Sequence, residues 1–168
     1  MINYRAMSEP TLHVVLYHPE IPFNAGNAGR TCVAIGAKLW LIRPLGFLTD
    51  DRHLRRAGLD YWQYLNWEVV DDWASLVQRL ADRRFWFLSK TGRTCYTDVQ
   101  FDPGDVLVFG AESHGLPPEL LEEHADRCLR IPVGPKVRCL NLSVSVAVTA
   151  YEALRQMRVR GDLPEPLD

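Results

Sequence analysis

Six short, mostly apolar runs punctuate the chain: "LHVVLY" (12–17), "KLWLIR" (38–43), "WEVV" (67–70), "RFWFLS" (84–89), "VLVFG" (106–110) and "CLRIPV" (128–133). Each has the length of a strand, and most lack the alternation of a half-exposed sheet, so both sheet faces are expected to be covered. The segments between them read differently. "NAGNAGRTCVAIGA" (24–37) predicts a helix with Asn24 as its N-cap, apolar contacts from Cys32, Val33 and Ile35, and a stop at Gly36. "TDDRHLRRAG" predicts a short charged helix started by Thr49 or Asp50, and "DDWASLVQRLADR" an amphipathic one with Trp73, Leu76, Val77 and Leu80 on one face. "KTGRTCYTDVQFDPGD" reads as a polar hairpin, and "PELLEEHAD" as a helix with Pro118 in its first turn. Strand and helix alternate, which predicts an α/β fold with a mainly parallel sheet. No linker, repeat or low-complexity stretch interrupts it: residues 11–160 read as a single domain, 1–10 as a flexible lead and 161–168 as a tail.

The last helix begins oddly. In "KVRCLNLSVSVAVTAYEALRQ" (136–156) the stretch from Val144 to Leu154 is small and apolar, as a buried helix requires, yet Arg138, Cys139, Asn141, Ser143 and Ser145 crowd its start. One N-cap needs one such residue, Asn141 or Ser143. The surplus, added to the unpaired amides of a first helical turn, predicts a pocket of backbone N–H and C=O groups for a flat polar ligand.

Composition narrows the class. A chain of 168 residues with 47% hydrophobic and 24% charged residues is an ordinary globular domain. No run approaches the ~20 apolar residues of a membrane span and the N-terminus lacks a signal-peptide core, so the expected location is cytoplasmic, without a membrane partner. The four cysteines form no C-x-x-C pair and the five histidines no ligand spacing, so reduced thiols and no metal are expected. With a net charge of −2, any nucleic-acid contact must be local.

In parallel sheets ligands bind beyond the carboxyl ends of the strands. Three polar segments fall there: "NAGNAGR" (24–30), "GAESHG" (110–115) and "RCLNLS" (138–143). The first lacks the G-K-[ST] of a P-loop, and "LWLIRPLG" lacks the acid of a dinucleotide fingerprint. Gly110 and Gly115 allow close backbone approach, and Glu112 between them suits helix capping, holding a partner loop, or catalysis.

Taken together, "NAGNAGR", "VFGAESHGLP" and "RIPVGPKVRCLNLSVSVAV" resemble the three motifs of the SPOUT superfamily of RNA 2′-O-methyltransferases. "LYHPEIPFNAGNAGRTC" and "RRAGLDYW" are similar to its minimal TrmL (YibK-like) branch, whose members methylate the wobble nucleotide of leucine tRNAs. The resemblance runs from Leu12 to about Arg155. It implies a C-terminal trefoil knot, a homodimer with sites completed across the interface, the anticodon stem-loop as substrate, and S-adenosylmethionine as methyl donor with S-adenosylhomocysteine as product. By the same comparison Leu88, Gly110, Glu112, Gly115, Ile131, Cys139 and Leu140 match cofactor positions. Asn24, Arg30, Glu112, Asn141, Ser143 and Tyr151 match catalytic or RNA-contacting positions. Cys139 departs from the serine common among close relatives, a weaker donor if the side chain makes the contact. Arg30, a guanidinium, is expected to position and stabilise oxygen rather than accept a proton. Arg52, Arg55, Arg56 and Arg138 are candidates for RNA phosphate, with Lys90, Arg93 and Lys136 on loops nearby, whereas Tyr61 and Trp62 suit packing better than base stacking. A catalytically inactive RNA-binding relative, or the same chemistry at another RNA position, are the alternatives.

Overall fold

A computed structural model describes residues 9–49 and 61–163. Seven strands, β1 (His13–Tyr17), β2 (Lys38–Ile42), β3 (Trp67–Val70), β4 (Phe85–Leu88), β5 (Thr94–Cys95), β6 (Val106–Phe109) and β7 (Cys128–Arg130), form one sheet in the order β3-β2-β1-β6-β4-β7-β5. Every pairing is parallel. Among the described residues, four α-helices accompany it: α1 (Pro22–Ile35), α2 (Trp73–Arg79), α3 (Pro118–Glu123) and α4 (Leu142–Arg160).

The continuous apolar runs are explained by two cores. Val14, Leu16, Leu39, Leu41, Leu107 and Leu129 pack under α1 and α4 on one face. On the other, Val15, Trp40, Phe87, Val106 and Val108 meet Leu76 and Leu80 at α2 and Leu120 of α3. Burying a residue of this size contributes roughly 1.5–3 kcal/mol, so each strand is held from both sides.

Four expectations change. Asn24 is not an N-cap: α1 starts at Pro22, with Ile21 at the cap and no side chain capping it, and the two amides that lead into the helix, of Glu20 and Ile21, donate to a carboxylate from elsewhere. The stretch read as a hairpin instead supplies β5, which pairs parallel with β7 at the sheet edge. Strand β7 ends at Arg130, as Pro132 cannot continue a ladder. Val77, expected on the buried face of α2, is 36% exposed, since the helix meets the sheet through Trp73, on Phe85 and Phe87, and through Leu76. Asp72 caps α2 through Ser75 N–H, and Gly36 closes α1 in the left-handed region. The charged helix expected at 49–58 lies, from Asp50 on, outside the described residues, as do Arg52, Arg55, Arg56 and most of the expected terminal lead and tail.

Register fixes where the polar loops emerge. Leu16 pairs with Phe109, Phe109 with Leu88, and Leu88 with Leu129, so β1, β6, β4 and β7 end in one row. The loops following them share that edge.

Candidate active site

The loop after β6 is folded back by two bonds between Ala111 and Gly115, each amide donating to the other's carbonyl at 3.2 and 2.8 Å. Gly115 accordingly has φ +76°, and a Cβ on Gly110 would fall 2.1 Å from the Gly115 carbonyl carbon. Both glycines are therefore required by backbone geometry. The result is that Glu112 points at the start of α1. Its carboxylate accepts hydrogen bonds from the amides of Glu20 (2.8 Å) and Ile21 (3.2 Å) and from Asn24 Nδ2 (2.9 Å). Of the uses open to Glu112, the structure displays the clasp on a partner loop.

The clasp is reciprocal. Glu20 accepts from the Ser113 amide at 2.8 Å and the Ser113 hydroxyl at 2.7 Å, and these bonds, the hydroxyl's first, hold its carboxyl below the usual range. Ser113 Oγ also lies 2.7 Å from His114 Nδ1. From Asn24 the chain continues: Asn141 Nδ2 donates to Asn24 Oδ1 at 2.9 Å, and Asn141 Oδ1 accepts from the amide and hydroxyl of Ser143 at 2.9 and 2.8 Å. Asn141 is thus the N-cap of α4. Glu112, Asn24, Asn141 and Ser143, drawn from all three polar segments, form one continuous network with Asn24 buried at its centre.

Arg30 is exposed on α1, with its guanidinium 4.7 Å from the centroid of Tyr61. The Tyr61 hydroxyl donates to the Gly26 carbonyl at 2.8 Å. Trp62 is buried and approaches Gly29, where a Cβ would lie 2.9 Å from Leu65 and 3.1 Å from Trp62. The aromatic pair therefore packs, as expected, and Tyr61 also carries Arg30 on its face.

The candidate cofactor residues follow the row of strand ends. Leu88 closes β4, Gly110 follows β6, and Ile131, Cys139 and Leu140 lie on the loop after β7. Leu88, Ile131 and Leu140 are half-buried and Cys139 is exposed. Among the described residues, the main chain between Ile131 and Leu140 makes one backbone bond, from Val137 N–H to the Gly134 carbonyl. Its other amides and carbonyls remain available to the edge of a flat heterocycle, which is the chemistry an adenine ring needs. Tyr151 stands 51% exposed on α4, and Arg138 is exposed at the end of the same loop. Sequence reasoning overlooked Glu20 and Ser113; the only signal was their adjacency to Pro19 and Glu112 in two loops expected at the same edge.

A parallel sheet whose strand-end loops are tied by a Glu-Asn-Asn-Ser chain defines a strand-end binding site of the α/β class. Comparison with known proteins resolves the class further: residues 11–151 match the SpoU rRNA methylase family, and the chain belongs to it. A Geobacillus stearothermophilus protein provisionally named a tRNA (cytidine(34)-2′-O)-methyltransferase is 51% identical over 153 residues, covering 89% of this chain and 98% of its own. A Methylovorus glucosotrophus protein carrying that name without qualification is 45% identical over 144 residues, 85% of this chain and 94% of its own. A solved structure described as giving structural insights into the 2-OH methylation of C/U34 on tRNA aligns with TM-score 0.84 and 47% identity, covering 89% and 97% of the two chains.

Proposed function

We propose that the protein transfers a methyl group from S-adenosylmethionine to the ribose 2′-hydroxyl of nucleotide 34, the wobble position, in leucine tRNAs. The observation that carries the reading is the Glu112–Asn24–Asn141–Ser143 network, which joins the family's three motifs at one sheet edge. Relatives that share 45–51% identity over almost their full length bear the name of this activity. The setting for such a reaction is the cytoplasm.

The donor's sulfonium makes its methyl group electrophilic, so the protein's work is chiefly alignment. In this reading Leu88, Ile131 and Leu140 supply apolar contact, and the unspent backbone groups of the 131–140 loop, with Gly110 and Cys139, read the base and ribose edges. A backbone contact at Cys139 would make the departure from serine harmless. Gly115 and Glu112 act through shape: they hold the loop that fixes the start of α1. Asn24, Asn141 and Ser143 keep α1 and the start of α4 in register, so that Arg30 faces the same site. Arg30 donates to the ribose oxygen as it gains charge, which a guanidinium does well and proton abstraction it does poorly. Tyr151 and Arg138 contact the RNA, and Arg52, Arg55 and Arg56, if brought beside them, extend that contact. The trefoil knot implied by family membership would place the 131–141 segment inside a loop of chain, an exception to ordinary topology.

We also infer a homodimer. Phe23 on α1 is 62% exposed, and Ile21, Val144 and Tyr151 add apolar surface along α1 and α4, two helices packed together. A second copy of this chain covers that surface and brings its own Tyr151 to the first copy's site.

The test is transfer of labelled methyl to unmodified leucine tRNA transcripts followed by nuclease mapping. Label at the ribose of nucleotide 34 supports the reading; label at another nucleotide, or none from protein that binds the donor, overturns it. Arg30→Ala is expected to lower single-turnover transfer at least about a hundredfold, the scale of an oxyanion donor, with donor affinity unchanged by calorimetry.

A further inference from the structure

Several basic side chains elsewhere are paired with carboxylates: Arg84 with Asp102 and Asp105, Arg160 with Asp102 and Asp162, and Lys38 and Arg79 with Glu68. One group differs. Lys90, Arg93, Arg130, Lys136 and Arg138 are all exposed, and among the described residues none of them meets a carboxylate. The sequence withholds counter-charges there, with no Asp or Glu between Asp82 and Asp98 or between Asp126 and Glu152. Asp126 itself is 3.8 Å from Arg127. The backbone gathers three of the five at one corner. Gly92, between Lys90 and Arg93, is pressed against β7 so closely that a Cβ would lie 2.5 Å from the Leu129 carbonyl carbon and 2.9 Å from the Arg130 nitrogen. Cys95 of β5 pairs with Arg130, whose carbonyl accepts from the Tyr96 amide at 3.0 Å.

A protein of net charge −2 that concentrates unpaired cations at one sheet corner has separated its charge, and like charges within a Debye length of about 8 Å repel unless a polyanion covers them. We propose that the β5–β7 corner, through Lys90, Arg93 and Arg130 with Lys136 and Arg138 on the adjoining loop, is a docking surface for the sugar-phosphate backbone of the RNA stem next to the reacting nucleotide. This rests on the methyltransferase reading and adds the path of the RNA: it leaves the site over β7 toward the β5 edge. The contacts are to phosphate, so this corner contributes affinity and orientation and reads no bases.

The experiment is fluorescence anisotropy of a labelled leucine tRNA transcript over a salt series, with the wild type, K90A/R93A/R130A and the charge-keeping R93K/R130K. Each lost phosphate contact should lower the slope of log affinity against log salt by about 0.7–0.9, so the triple variant loses about 2–3 in slope and at least about tenfold in affinity at low salt. R93K/R130K keeps the slope while binding more weakly, as bidentate contacts become point contacts. Donor affinity by calorimetry and the thermal midpoint should match the wild type. An unchanged slope and affinity for the triple variant overturns the proposal, and so does loss confined to donor binding. Intact tRNA binding with lost binding to polyglutamate would overturn it in favour of an acidic protein partner. Anisotropy needs no turnover: a wild type that methylates nothing at nucleotide 34 but shows the slope difference refutes the target reading and leaves the docking surface standing.

Discussion

Asn24→Asp changes one atom of the network and reverses its logic. In the wild type the Asn24 amide donates to Glu112 at 2.9 Å while its oxygen accepts from Asn141 at 2.9 Å. An aspartate keeps the second bond and replaces the first by two carboxylates in contact. At about 4 Å and an effective dielectric constant near 20, that repulsion is about 4 kcal/mol. Proton uptake limits the cost. The introduced carboxyl has its folded pKa raised above the unfolded value, so its protonated form is favoured in the folded state, and the variant loses stability as pH rises through that folded pKa. The expected penalty is about 1.5 kcal/mol near pH 5, the cost of keeping on the folded chain a proton that the unfolded aspartate has already released, and about 3–4 kcal/mol near pH 8. For a chain of this size the larger figure lowers the melting temperature by roughly 6–16 °C. Thermal unfolding of both proteins across this range reads the difference directly. Asn24→Asp combined with Glu112→Gln, which again opposes one carboxylate and one amide, should recover part of the loss. A variant as stable as the wild type at all pH values, or one equally destabilised at pH 5 and pH 8, would refute the reasoning.

Gly110→Ala drives a Cβ against the Gly115 and Leu116 backbone, at 2.1 and 2.3 Å, and should destabilise by more than about 3 kcal/mol in denaturant melts, whereas Gly115→Ala, with open space but φ +76°, should cost about 1–2 kcal/mol. Tyr61→Phe keeps the ring beside Arg30 but loses the bond to Gly26, an expected cost of about 1 kcal/mol with methyl transfer retained; Tyr61→Leu also removes the aromatic face and should lower turnover more than stability. His13 is buried and accepts at Nδ1 from Trp40 Nε1 at 3.0 Å; burial, with the Arg83 and Lys38 charges, pushes its pKa down from 6.5 to about 4. The unfolded chain therefore binds the proton first, so this stability is complete above pH 6.5 and drains by about 3 kcal/mol as pH falls toward 4. His13→Gln, which still offers Trp40 an acceptor, should flatten that part of the acid limb in equilibrium unfolding.

The strands were legible because a sheet covered on both faces leaves an uninterrupted apolar signature, and Val15 and Leu16 enter opposite cores. The cap on α4 was legible for a local reason: Asn141 bonds an amide two residues away. Asn24 was misplaced because its side chain, rather than capping α1, donates to Glu112, 88 residues on, and no local pattern carries that information. Strand β5 spans two residues, too short for any period, and it exists only because Gly92 lets its loop lie on β7. The three motifs could be read one by one; their union into a single hydrogen-bond chain follows from register, which aligns Leu16, Phe109, Leu88 and Leu129 at one edge.

The central claim is that this edge directs methylation to one ribose. Mass-spectrometric analysis of leucine tRNAs from cells lacking the gene, complemented with wild-type protein or Arg30→Ala, tests it most directly. The account predicts an unmethylated ribose at nucleotide 34 in the deletion strain, restored by the wild type and not by the variant. A ribose at that position still fully methylated in the deletion strain, or restored equally by Arg30→Ala, would contradict it.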